Sequence, residues 1–293
     1  MGTGDPLIIE VRGNEGMPRD LAPNVPFTPD EIVADMRACA AAGAAVYHWH
    51  ARDPGTGKPV DDIQAFVATA RAIRESSDII LKPTLGFNRD SAAARMAHIE
   101  AMIGVDPAYV DIVPIDNFSA NADYWDSGKG RFKTVDAVYA NTRGHVMSVI
   151  DRAAALGVPF TLACPDIGAI RTGLRYRDMG LIAGAIHWEL VFSGDALPIA
   201  AAPDIAALQA MVAALPPGES WSVFCTGGDL LPLAGTILLM GGHIAIGLGD
   251  CDQRRFGAIS NADLVARICG LAETVGRPVA SIGEARGMLG LRG

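Results

Sequence analysis

Strand-like and helix-like segments alternate eight times along this 293-residue chain, and no other feature limits its fold so strongly. The first β-rich run is LIIEVRG, residues 7–13. It leads into TPDEIVADMRACAAAGA, where Thr28 and Glu31 have capping-box spacing, Pro29 suits the first helical position and Gly43 closes the helix. The same order recurs with strands at AVYHWHA, IILKPTL, YVDIVPI, PFTLAC, IHWELVF, SWSVFCT and HIAIGLGD. Asp204 caps the sixth helical segment, and Ser260 with Asp263 has capping spacing at the eighth. Strands that alternate with helices build parallel βαβ units. Eight of them in this length predict a (β/α)8 TIM barrel, a single domain over residues 1–293, because no linker or composition shift divides the chain. A doubly wound sheet would want a glycine-rich phosphate turn after the first strand, and RGNEGMPRD does not supply GxGxxG. Two local expectations follow: LLPLAGTILLM is a helix apolar nearly all round and hence buried, and a loop after the fourth strand enters a helix running from about 135 to 155.

In such a barrel, functional groups lie where strands end. The second strand ends in His48-Trp49-His50. Side chains two apart on a strand share a face, so the two imidazoles can converge on one ion while Trp49 turns away. Other strand exits carry Asn14 and Glu15, Thr84 to Gly86, Asp116 and Asn117, Asp166, and Asp250. Singly, each could equally cap a helix or solvate a loop. Asp166 is the clearest cap, because Ile167-Gly168 opens a helix whose first N–H groups a carboxylate offsets. His243 stands at the start of the eighth strand, the stability face of a barrel, and reads as structural. Cys225 and Cys251 have no adjacent His or Lys and read as small hydrophobes.

Charge narrows the partners. Lys+Arg 24 against Asp+Glu 33 leaves a net charge of -9 with no basic cluster, which argues against nucleic acid and anionic membranes and for a small-molecule ligand. The five cysteines are scattered without a CxxC pair, and an odd number cannot complete a disulfide framework, so a reducing cytoplasm is expected. MGTGDPLIIEVRGNEG has no signal-peptide pattern, and the most apolar stretch is broken by Pro232 and Gly241-Gly242.

Four segments carry a family resemblance: NVPFTPDEIVADMRACAAAGAAVYHWHARDPGTGKP, the PTLG after the third strand, MGGHIAIGLGD, and SNADLVARICGLAETVGRPVASIGEARGMLGL. In this combination and order the chain resembles the β-keto acid cleavage enzymes. The resemblance implies a zinc-bearing barrel that exchanges acyl groups between a 3-oxo acid and acetyl-CoA, releasing acetoacetate and a new acyl-CoA, in a homo-oligomer of four chains. It implies zinc at His48 and His50, substrate contacts at Glu15, Thr84, Gly86 and Asp116, and a general base at Asp250. Zinc would polarise the ketone, and a carboxylate would activate the attacking group.

The chain also departs from the family pattern. The eighth-strand motif of the family ends in GLED, its glutamate a zinc ligand, whereas here Gly249 stands in that place. Ala245 replaces an arginine four residues earlier, and Thr161 replaces a glutamate on the fifth strand. Two imidazoles hold zinc weakly, since catalytic sites normally offer three protein ligands. Either another carboxylate completes the shell, with Glu15 and Asp250 the nearest candidates, or activity has changed. A metal-dependent hydrolase or aldolase and a catalytically silent binding protein are the competing readings. For the substrate, Glu15 and Asp116 flanked by Trp49, Phe118 and Trp125 would favour a cationic 3-oxo acid.

Overall fold

In the computed structural model, which describes residues 4–86, 91–250 and 256–291, the barrel strands are β1 (Ile9–Arg12), β2 (Val46–Trp49), β3 (Ile80–Pro83), β4 (Val113–Asp116), β5 (Phe160–Cys164), β6 (His187–Ser193), β7 (Ser220–Thr226) and β8 (His243–Ile246). Cys251 lies outside the described residues. Every neighbouring pair is parallel, in the order β3-β2-β1-β8-β7-β6-β5-β4. The two ends of that order meet at a seam. There the N–H groups of Asp111 and Ile112 donate to Leu81 O at 2.9 and 3.2 Å, and the Asp111 carboxylate accepts the Leu81 N–H at 2.7 Å. Asp111 is itself held by Arg74 at 2.9 Å and Arg286 at 2.8 Å, so one carboxylate joins β3 to two helices. The result is the expected (β/α)8 barrel.

The outer helices are α1 (Pro29–Ala42), α2 (Ile63–Arg74), α3 (Ala92–Val105), α4 (Arg143–Leu156), α5 (Ile167–Asp178), α6 (Ile205–Ala213), α7 (Leu231–Leu239) and α8 (Asn261–Thr274), followed by α9 (Ile282–Met288). Capping residues set most of their starts. Thr28 and Glu31 form the capping box of α1, Gly43 ends it at φ 115°, and Asp166 accepts the Ala169 N–H at the start of α5. Ser260 with Asp263 forms the box of α8. None of the described helices is long and apolar enough to cross a membrane.

Two local expectations fail. The segment between β4 and α4 folds into two small antiparallel pairs, Ala120–Asn121 with Val138–Tyr139 and Trp125–Asp126 with Arg131–Phe132, and α4 begins only at Arg143. The cause is local: the Asp123 carboxylate takes the Thr134 hydroxyl at 2.5 Å and the Ala137 N–H at 3.1 Å, and Thr142 caps the helix. Helix α7 is buried on one side only, through Leu233, Ala234, Ile237 and Leu238, while Leu239 is 61% exposed.

The barrel interior is layered, since alternate residues of each strand point inward. Its lower end is apolar, with Ile8, Val46, Ile80 and Ile112 packed together and α9 closing it through Ala285. His243 sits at this end, accepting the Ile8 N–H at 3.0 Å, as a structural residue would. Above lie charged groups, Glu10, Lys82 and Glu189, all buried. Replacing Asp111 with alanine strands the Leu81 N–H and takes the acid partner from Arg74 and Arg286 at the seam, so D111A is expected to lose about 2–3 kcal/mol in urea unfolding. A change under about 0.5 kcal/mol would show that the seam closes without this carboxylate.

Candidate active site and metal centre

At the C-terminal rim the Glu15 carboxylate stands between two imidazoles. Its Oε1 is 3.0 Å from His48 Nε2 and its Oε2 is 2.5 Å from His50 Nε2. The three groups offer one ligand atom each within 4.8 Å of one another, with both imidazoles buried. Strand pleating brings His48 and His50 together, and Trp49 between them is fully buried on the opposite face. Glu15 arrives by a strained backbone. Its φ of 32° is the single positive value at a described non-glycine residue, a conformation that costs of order 1–3 kcal/mol and persists where surroundings enforce it. Those surroundings are Asn14, which brackets the His50 peptide at 3.0 and 2.8 Å, and Arg52, which donates to Asn14 O and to Glu15 O, the latter at 2.8 Å.

The donor set fits a divalent cation. His48 Nδ1 donates to Lys82 O at 2.8 Å, because a carbonyl can only accept, and this leaves Nε2 as the ligand atom facing Glu15. Burial would favour a neutral Glu15, yet Arg12 and the imidazoles hold it well below the usual carboxylate range; burial pushes His50 down, toward the neutral ring that ligates. Buried Glu15 Oε1 makes close contacts but no hydrogen bond of good geometry. Three buried carboxylates, Glu10, Glu189 and Asp250, and the partly buried Glu15 are joined by Arg12 and Lys82, so acids outnumber cations and a divalent ion offsets the excess.

Arg12 is the hub of that network. It reaches Glu15 at 2.8 Å and Asp250 at 2.8 Å, lies 3.9 Å from Glu10, and stacks 4.0 Å above the Phe224 ring. Burial raises the Asp250 carboxyl to about 7, with Glu15 and Glu10 adding to the rise and Arg12 opposing it. Asp250 lies behind Arg12, outside the lining of the cavity over the cluster, which holds about 270 Å³. Lys82 lies between Glu10, at 2.8 Å, and Glu189, which also takes the Thr161 hydroxyl at 3.0 Å. Burial disfavours the ammonium, but the two carboxylates outweigh it and keep Lys82 charged.

Thr84, Gly86 and Asp116 all line this cavity with Glu15, His48 and His50, so the rim brings these sequence-chosen residues together. Of the expected cationic frame, Phe118 lines the cavity with Glu15 and Asp116, and the two tryptophans do not. Trp49 is fully buried, Trp125 does not line the cavity, and Asp116 is already engaged, by the Tyr139 hydroxyl and by Arg95 at 3.3 Å. Sequence reading missed Glu10, Arg12, Lys82 and Glu189. Their signal was present, as charges at inward positions of otherwise apolar strands. Arg95 and Tyr139, on α3 and the excursion after β4, carried none.

The model of the beta-keto acid cleavage enzyme family matches residues 6–291. The chain belongs to that family. It is 27% identical to 3-keto-5-aminohexanoate cleavage enzyme of Fusobacterium nucleatum over 92% of both chains. It is 27% identical to 3-dehydrocarnitine:acetyl-CoA trimethylamine transferase of Rhizobium meliloti, covering 92% of this chain and 90% of that one. With 3-oxoadipate:acetyl-CoA acetyltransferase of Cupriavidus necator the identity is 28%, covering 98% and 95%. Among solved structures, apo ObcA superposes with a TM-score of 0.69 at 16% identity over 92% of this chain and 66% of its own, a likeness of fold. Within a β-keto acid cleavage enzyme, the departures at Ala245, Gly249 and Thr161 acquire neighbours. A Cβ on Gly249 would lie 2.6 Å from Glu15 Cγ, so the β1 carboxylate occupies the space a residue at 249 would use. Arg12 extends from β1 beside β8, and Glu189 on β6 contacts Thr161. In each case a group of that kind lies close by, on a neighbouring strand or just beyond its end. G249A is therefore expected to push Glu15 aside and weaken divalent-metal affinity roughly 10–100-fold in competition with a chromophoric chelator. Unchanged affinity would mean that Glu15 is not held by this contact.

Proposed function

We propose that the chain is a zinc-dependent acyl-exchange enzyme, converting a 3-oxo acid and acetyl-CoA into acetoacetate and the acyl-CoA of the remaining chain. The observation that carries this reading is the Glu15, His48 and His50 cluster on the rim of a family barrel, two imidazoles and a carboxylate being the usual three-ligand set of a catalytic zinc. The chemistry the ion supplies when bound is Lewis-acid polarisation of the 3-oxo group. In the exchange, the acyl carbon leaves C2 of the 3-oxo acid for the CoA sulfur, and the acetyl group leaves that sulfur for C2, so no atom is gained or lost.

The protein's own groups divide the remaining work. Arg12, charged and facing the cavity, binds the substrate carboxylate and steadies negative charge that develops beside it. Asp250 receives the proton from C2, reached through one water or on a shift of the Arg12 guanidinium, and a carboxylate raised to about 7 is matched to that task near neutrality. Thr84 and Gly86 shape the turn against which the substrate lies. Glu15 beside Gly249 and Arg12 beside Ala245 support an active enzyme over a silent binding protein, the reading that the lost glutamate and arginine favoured.

Purified protein is expected to hold about one zinc per chain and to form acetoacetate only with both substrates, and H48A to lose the metal. Asp250 must be ionised to accept a proton. Activity is therefore present above about pH 7 and falls as pH drops through that value. D250N is expected to lower turnover roughly a hundredfold and to remove that acidic limb. Unchanged turnover would reduce Asp250 to an anchor for Arg12, and acetoacetate formed at full rate by metal-free enzyme would end the zinc reading.

A further inference from the structure

The cavity over the Glu15, His48 and His50 cluster has two unlike ends. Its floor is ionic, with Arg12 beside Glu15. Apolar side chains line the rest, Val191, Leu197 and Ile199 from β6 and the connection after it and Phe224 from β7, beside Arg12, with the rings of Phe118, Tyr124 and Tyr139 among them. Each remaining charged lining residue is already compensated. Asp116 faces Arg95 and the Tyr139 hydroxyl. Arg95, 3% exposed, also donates to Gly86 O at 3.1 Å and to Asn141. Glu189 is held by Lys82. A charged tip on the substrate would have to leave water for an apolar wall or break the Arg95 and Asp116 pair, and either costs several kcal/mol of order.

We propose that the site is specific for 3-oxo acids whose acyl chain is neutral and apolar, the acid end on the Arg12 floor and the chain against Leu197, Ile199, Val191 and Phe224. This rests on the acyl-exchange reading. The volume of about 270 Å³ is at the small end of ligand pockets, roughly 300–1,000 Å³, so the chain that fits is short. The walls select by burial, while Asp116, its charge already balanced by Arg95, gains little from a cationic tip, and Arg95, buried on Asp116, Asn141 and Gly86 O, leaves an anionic tip no ready partner.

Two isosteric acids isolate the charge: 5,5-dimethyl-3-oxohexanoate, and 4-trimethylammonio-3-oxobutanoate, which differs by a quaternary nitrogen in place of carbon. Zinc-loaded enzyme is titrated with each in the absence of acetyl-CoA, and turnover to acetoacetate is then measured with it. The neutral acid is expected to bind and react at least roughly tenfold better. Along 3-oxopentanoate, 3-oxohexanoate and 3-oxoheptanoate, kcat/KM is expected to rise roughly fourfold per buried methylene until the cavity fills. I199D places an uncompensated acid on the wall and is expected to narrow or reverse the neutral preference, and I199A to flatten the chain-length series. Preference for the ammonio acid in binding and turnover overturns this inference and leaves acyl exchange standing. Neutral preference in binding with no acetoacetate from any acid overturns acyl exchange and leaves the character of the pocket standing.

Discussion

The contact of β1 with β8 at the rim is so close that β8 cannot carry side chains there. A Cβ on Gly247 would lie 1.9 Å from Arg12 O, and one on Gly249 would lie 2.6 Å from Glu15 Cγ. With that space given up by β8, β1 turns Arg12 inward and Glu15 through a left-handed residue onto the two imidazoles. The rest of the site depends on this placement: the charge of Glu15, the position of Asp250 across Arg12, and the polar floor of the cavity.

Burying so many ions is expensive unless each is paired and hydrogen-bonded. The barrel meets the condition by stacking. Glu189 and Glu10 clamp Lys82, Glu10 and Asp250 flank Arg12, and Glu15 closes the column at the rim. Negative charge remains in excess, which is why burial can lift Asp250 to about 7 while Arg12 keeps Glu15 ionised. Two carboxylates, each 2.8 Å from one guanidinium, thereby take different protonation behaviour, one suited to holding a cation and the other to moving a proton.

Much of this was legible in the chain. Capping pairs such as Thr28 with Glu31 and Ser260 with Asp263 act through local geometry, so sequence spacing reports them directly. The period of two that joins His48 and His50 is equally local. The segment after β4 was misread because Asp123 binds Thr134 and Ala137 more than ten residues away, and no periodic pattern encodes such a bond. The surroundings of Asp116 were hidden for a similar reason. Asp116 looked free, but its partners Arg95 and Tyr139 come from α3 and the small hairpin, and only the folded chain brings them to it. The place of Glu15 lay between these cases, since Gly249 signalled a departure from the family pattern and the register of β1 against β8 brought Glu15 into the space beside it.

The central claim is that β1, through Glu15, completes a metal site whose other ligands come from β2. Anomalous diffraction at the zinc edge on crystals of zinc-loaded protein tests it most directly. The account predicts one strong peak bounded by the imidazoles of His48 and His50 and the carboxylate of Glu15, with Asp250 still on Arg12. A peak ligated by Asp250 with Glu15 turned away, or no peak between the imidazoles in zinc-replete crystals, would contradict it.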